Sequence, residues 1–106
     1  MIIDFGWYSG QMSVDAECLI LEMPIANCRK WARLFAKYGK PEDQEAFLRL
    51  LEDQIQANET ALDCLQEKLF ICKNPRDQRQ LSGSIRKITR KMKRRQSMCK
   101  ILQGIL

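Results

Sequence analysis

Residues 48–69 read LRLLEDQIQANETALDCLQEKL, and residues 85–106 read IRKITRKMKRRQSMCKILQGIL. Each stretch carries one heptad frame. The first places Leu48, Leu51, Ile55, Asn58, Leu62, Leu65 and Leu69 on one seam. The second places Ile85, Ile88, Met92, Arg95, Cys99, Leu102 and Leu106 on another. Such spacing keeps one face of a helix turned toward a partner helix. Folding the second stretch back on the first pairs Leu69 with Ile85, Leu65 with Ile88 and Leu62 with Met92. It then sets Asn58 opposite Arg95, Ile55 opposite Cys99, Leu51 opposite Leu102 and Leu48 opposite Leu106. The single polar break in each seam falls at the same depth, which points to an antiparallel helical hairpin within one chain. A charge on an apolar seam is costly unless paired. Asn58, with Glu59 beside it, therefore reads with Arg95 as a structural polar layer that sets the register.

The flanks of the two heptads suggest where the rest of the chain sits. Phe47, Leu50, Ala57, Ala61 and Cys64 make a second apolar stripe on the first stretch, and Met98, Ile101 and Ile105 make one on the other. Phe47 and Leu50 fall at the same end as Ile101 and Ile105, so the N-terminal part is expected to cover that end. The end around residues 62–92 has little such surface and should project as a bare two-helix arm.

Upstream, Ile2, Ile3, Phe5 and Trp7 suggest a short strand, and Ser9-Gly10 a turn. Alternation at Met12, Val14, Ala16, Cys18 and Ile20 suits a return strand. Leu19 and Leu21 fill the opposite face, so residues 12–22 are also compatible with a helix; Gly10 before them and Pro24 after them favour the hairpin. An isolated two-stranded hairpin is marginal in water and must lie on the helices or pair across a dimer. Cys28, Trp31, Ala32, Phe35 and Tyr38 then follow helical spacing, which makes Trp31 and Tyr38 core residues. Gly39 stops that helix, and Pro41 starts the next with Glu42 and Asp43 in its first turn. The expected class is α+β, mostly α. A β-hairpin (1–23) and a short basic helix (24–39) pack on one end of a long antiparallel coiled-coil hairpin, with helices over 41–71 and 81–105. Lys73-Asn74-Pro75 breaks the chain between them. The 106 residues are read as one domain.

Composition narrows the function. The chain has no histidine, no Gly-rich phosphate cradle and no acidic metal cluster, which leaves catalysis without its usual machinery. Asp63 and Glu67 form an i, i+4 carboxylate pair that a solvated helix face explains. Five cysteines (Cys18, Cys28, Cys64, Cys72 and Cys99) lie at irregular spacing without a Cys-x-x-Cys pair, so they read as small hydrophobes rather than metal or redox centres. No cofactor is expected. No apolar run is long enough for a membrane span, and the opening residues lack the features of a secretion signal, so a cytoplasmic location is expected.

The net charge of +5 conceals four blocks. Residues 1–23 carry acids only, and residues 24–40 carry bases only, among them Arg29, Arg33 and Lys37. Residues 41–72 are acidic, and residues 73–106 hold eleven bases against Asp77 alone. Arg79, Arg86, Lys87, Arg90, Lys91, Lys93 and Arg94 lie on the arm's loop and last helix, with Arg86, Lys87, Arg90, Lys93 and Arg94 on the helix's outer face. Such a stripe is the electrostatic footprint of a polyanion binder. Arg29, Arg33 and Lys37 form a second candidate patch.

Residues 50–73 resemble the long dimerisation helix of MerR-type regulators in the spacing of their leucines and isoleucines. The winged helix-turn-helix those regulators place ahead of that helix has no counterpart here, so no site residue is carried over. In size and charge pattern the chain is also similar to accessory proteins of phages and mobile elements, including inhibitors of nucleic-acid-guided nucleases. The expected function is non-enzymatic engagement of nucleic acid or a nucleoprotein complex through the basic arm. The alternative is a protein-interaction module that docks the arm on an acidic protein surface. A homodimer, through the heptads or the hairpin edge, is compatible with either.

Overall fold

The computed structural model describes residues 2–3, 14–15 and 25–104. Three helices dominate: α1 (Ile25–Tyr38), α2 (Pro41–Ile71) and α3 (Pro75–Leu102). Two short pieces of extended chain, β1 (Ile2–Ile3) and β2 (Val14–Asp15), pair antiparallel, with Ile2 opposite Asp15 and Ile3 opposite Val14. Among the described residues the expected α+β class is therefore corrected to an architecture built from three helices. The extended chain described is a ladder only two residues long on each side, too short to form a layer of the fold. The rest of the hairpin expected over 1–23, including Trp7 and Tyr8, lies outside the described residues, as do Ile105 and Leu106. The physical reason for the correction is in the core. Among the described residues it is assembled from helices alone, because α1 supplies the apolar cover that strands were expected to share.

Pro41 opens α2 at a position where its missing N–H costs nothing, and Glu42 and Asp43 meet the positive end of the helix dipole. Between α1 and α2 the corner is tight. Gly39 N donates to Phe35 O at 2.8 Å. The Gln44 side-chain amide then reaches back, with Nε2 donating to Phe35 O at 3.0 Å and Gly39 O at 2.9 Å. The same amide lies 3.3 Å from Ala36 O, a carbonyl that the end of α1 leaves open, so one side chain on α2 ties the corner together.

Helix α3 begins at Pro75, six residues before the expected start at 81. Asn74 is its N-cap, and Asn74 Oδ1 accepts from Arg76 N at 2.9 Å. The Asn-Pro pair that looked like a breaker is a cap followed by a first-turn proline. Gly83 sits inside the helix, where it costs about 1 kcal/mol relative to alanine but does not interrupt the hydrogen bonds. At the other end Gly104, with φ of 77°, donates to Ile101 O at 3.1 Å and closes the helix before 105.

The core occupies one end of the molecule. Trp31 and Phe35 from α1 and Phe47 from α2 form an aromatic cluster with centroids 4.9, 5.3 and 5.6 Å apart. Such pairs add about 0.5–1.5 kcal/mol each beyond area burial. Cys28, Ala32, Leu51, Met98, Cys99 and Ile101 complete the cluster. Along the α2–α3 seam, no described heptad position from Leu48 to Leu102 is exposed. Arg95, 9% exposed, donates from Nη1 to Asn58 Oδ1 at 2.6 Å. Gln103 Nε2 donates to Glu52 Oε1 at 3.2 Å one end of the seam away, and Gln78 Nε2 to Cys72 O at 2.8 Å near the linker. These contacts climb α2 as they descend α3, as an antiparallel register requires.

Beyond Leu62 the hairpin continues without α1 beside it. The longest dimension is 51 Å, and the radius of gyration is 16.2 Å. A compact domain of this length would have a radius near 13 Å, so the arm accounts for the elongation.

Two glycines separate packing from propensity. A Cβ on Gly39 would lie 2.1 Å from the Phe35 ring, whereas a Cβ on Gly83 would meet nothing within 4 Å. Chemical denaturation of Gly39→Ala should show a loss of about 1–3 kcal/mol through overpacking. Gly83→Ala should instead gain about 0.5–1 kcal/mol. The polar layer has its own test. Asn58→Leu should cost about 2 kcal/mol while Arg95 is present and cost nothing once Arg95→Leu has been made. Arg95→Leu alone should raise stability. An equal cost for Asn58→Leu in both backgrounds would show that the two residues are not coupled.

Candidate functional site

Arg79, Arg86, Lys87, Arg90, Lys91 and Lys93 are all exposed along α3. The helix holds them in place because its other faces are committed to the seam and to α1. Arg79, Arg86 and Lys93 are spaced by seven residues and so form a nearly straight line about 21 Å long. Arg79 and Arg86, with Pro75, Gln78 and Ser82, line a shallow open groove on that side. None of these six cations, nor Arg94, forms an ion pair with a described residue. The acids of α2 lie on the neighbouring helix, but beyond ion-pair distance.

Arg94 differs from the outward-facing position expected for it. It is half-buried and turned toward α1, where its charge reaches the buried Cys28 thiol. The reason is that α1 packs on the α3 flank that carries Arg94, Met98 and Ile101. Ile25, Arg90, Lys93 and Arg94 line a second shallow groove at the start of α1. The positive end of the α1 dipole is therefore close to three cations, and no acid occupies the first turn of α1. Arg29, Arg33 and Lys37 are exposed on α1. Packing α1 against α3 sets the start of α1, at Ile25, beside Arg90, Lys93 and Arg94.

The aromatic residues divide. Trp31 is fully buried, as its place on the apolar stripe implied. Tyr38 is not a core residue: it is 54% exposed, with the Lys37 ammonium 5.2 Å from its ring centroid. It lies in the last turn of α1, where the stripe outruns its partner helices. Two further apolar residues stand out that the sequence reading passed over. Phe70 is 90% exposed and Ile71 is 71% exposed, both at the tip of the arm. The signal was the run Leu69-Phe70-Ile71. Three consecutive apolar residues cannot all face one helical seam.

Among the described residues no group of His, Cys, Asp or Glu could hold a metal ion, and no helix is long and apolar enough to cross a membrane. Cys28, Cys64, Cys72 and Cys99 are free thiols. Cys28 and Cys99 are buried hydrophobes, but Cys64 is exposed because α1 does not extend over that part of α2. Burial pushes the Cys28 thiol above its ordinary value of 9.0, with the Arg94 charge pulling partly back. Burial also raises the Cys99 thiol, and the Glu52 carboxylate adds to the effect.

No protein-family model, curated protein or solved structure matches this chain.

The thiols report the packing directly. At about pH 8, maleimide should modify Cys64 first, and Cys28 and Cys99 only on unfolding, as read by peptide mass spectrometry. Because the folded thiols hold their protons more tightly than the unfolded ones, the associated stability is intact below the unfolded value of 9.0. It is lost as pH rises through the higher folded values. Rapid modification of Cys28 in the folded protein would contradict the packing of α1 on α3.

Proposed function

We propose that this protein binds nucleic acid, free or within a nucleoprotein complex, and carries out no catalytic step of its own. The observation that supports this reading is the row of exposed cations on α3, none of them ion-paired to a described residue. Like charges held along one rigid helix repel one another, and a polyanion relieves that repulsion while releasing its own counterions. The spacing suits a repeating backbone charge better than a single anion. Arg79, Arg86, Lys87, Arg90, Lys91 and Lys93 contact phosphates, Arg94 lends charge from the α1 junction, and Arg29, Arg33 and Lys37 extend the contact along α1. Asn58 and Arg95 serve the fold, holding α3 in register. Contacts of this kind position a backbone without reading base edges, so the binding is largely independent of sequence. The reading carries with it a cytoplasmic location.

Titration of labelled DNA and RNA at varied salt tests the proposal. With about five phosphate contacts, affinity for duplex should fall several-hundred-fold between about 50 and 200 mM salt. Arg86→Ala and Arg90→Ala should each reduce the salt slope by about one. If affinity for every nucleic acid is weak and insensitive to salt, the competing partner, an acidic protein surface, takes its place.

A further inference from the structure

We infer that Phe70 is a stacking platform for unpaired nucleobases, so that the arm tip selects single-stranded or locally opened segments over regular duplex. This rests on the nucleic-acid reading above and names the substrate class within it. Phe70 is 90% exposed on a helix whose other apolar residues mostly have partners. Adjacent Ile71 is 71% exposed, so the two side chains form an apolar patch at the tip among polar residues, the kind of surface that marks a contact.

The location decides what kind of contact. Each residue turns a helix by about 100°, which puts Lys68 and Phe70 on opposite flanks of the Leu62–Leu65–Leu69 seam. Lys68 and Cys72 share a groove with Asp77, Gln80 and Leu81 on one flank of the hairpin. By the same turn Phe70 falls on the other flank, and Arg79 and Arg86, seven residues apart on α3, line a groove with Pro75, Gln78 and Ser82 away from the Lys68 groove. A base stacked on Phe70 has its phosphates directed along that arginine line. Every base offers a π-face, so an aromatic ring beside a cationic track suits unpaired bases of any sequence. In a closed duplex those faces are covered by stacking.

Charge argues against the other occupants. In sequence the tip is flanked by Lys68, Lys73, Arg76 and Arg79, against Glu67 and Asp77. A second copy of the chain would bring two tips of the same net sign together. Ile71 points away from the Phe70 flank and widens the apolar tip without adding a π-face.

The test uses the full chain and two probes, a short oligothymidylate and a mixed-sequence duplex of equal length, at one salt concentration. The wild type should prefer the single strand. Phe70→Ala should lower single-strand affinity by about tenfold while leaving duplex affinity and the salt slope unchanged. Phe70→Leu should behave like Phe70→Ala, because bulk without a ring does not stack. Phe70→Trp should retain affinity, and its added fluorescence should be quenched by the single strand. Phe70→Ala binding like the wild type, or weakening both probes equally, would overturn the inference and leave the nucleic-acid reading standing. Conversion of a wild-type dimer to a monomer by Phe70→Ala, seen by sedimentation, would assign the ring to self-association and overturn the inference. Failure of the wild type to bind either probe would remove the function reading and this inference with it.

Discussion

Arg95 reaches across the interface of α2 and α3 to Asn58, 2.6 Å away, in the middle of an otherwise apolar seam. The rest of the geometry depends on this pairing. A heptad seam is nearly indifferent to sliding by one repeat, because leucine meets leucine in either register. A buried guanidinium is not indifferent. Moved by one repeat it would face an aliphatic side chain and lose its acceptor, at a cost comparable with a large share of a small domain's stability. The polar layer thus adds little to cohesion and much to alignment.

Alignment has consequences at both ends of the hairpin. At one end it gathers Phe47, Leu51, Met98 and Ile101 into one cluster, creating the surface on which Trp31 and Phe35 close. At the other it leaves the last turns of α2 and the first turns of α3 to hold each other without a third helix. Packing density therefore falls from the aromatic cluster toward the Cys72–Asn74 linker. Sparse packing lowers the cost of local opening, and the most exposed apolar residues, Phe70 and Ile71, are at that lightly held tip.

The same arrangement separates charge from cohesion. The exposed cations Arg79, Arg86, Lys87, Arg90, Lys91 and Lys93 occupy faces of α3 that neither α2 nor α1 needs, so their repulsion is borne by the seam and not relieved by ion pairs with described residues. Arg94 shows how narrow that separation is. Placed where α1 begins, it is drawn partly inward and its charge acts on a buried thiol. Its neighbours Arg90 and Lys93 remain exposed beside the start of α1.

Periodicity, charge blocks and helix-start chemistry are properties of the chain alone, so the seam, the opposed polar residues, the cationic last helix and the role of Pro41 are legible before folding. Trp31 is legible as core for the same reason, since it sits mid-stripe. What the sequence could not decide were matters of which surface meets which. The alternation in residues 12–22 fits more than one element, and it took the packing of α1 to show that helices alone complete the described core. Asn74-Pro75 can end one helix or begin another, and the hydrogen bond from Arg76 N to Asn74 Oδ1 decides for the latter. Tyr38 carries a local signal of burial yet faces water, because burial depends on a partner surface, and only the tertiary structure shows where the partner helices stop.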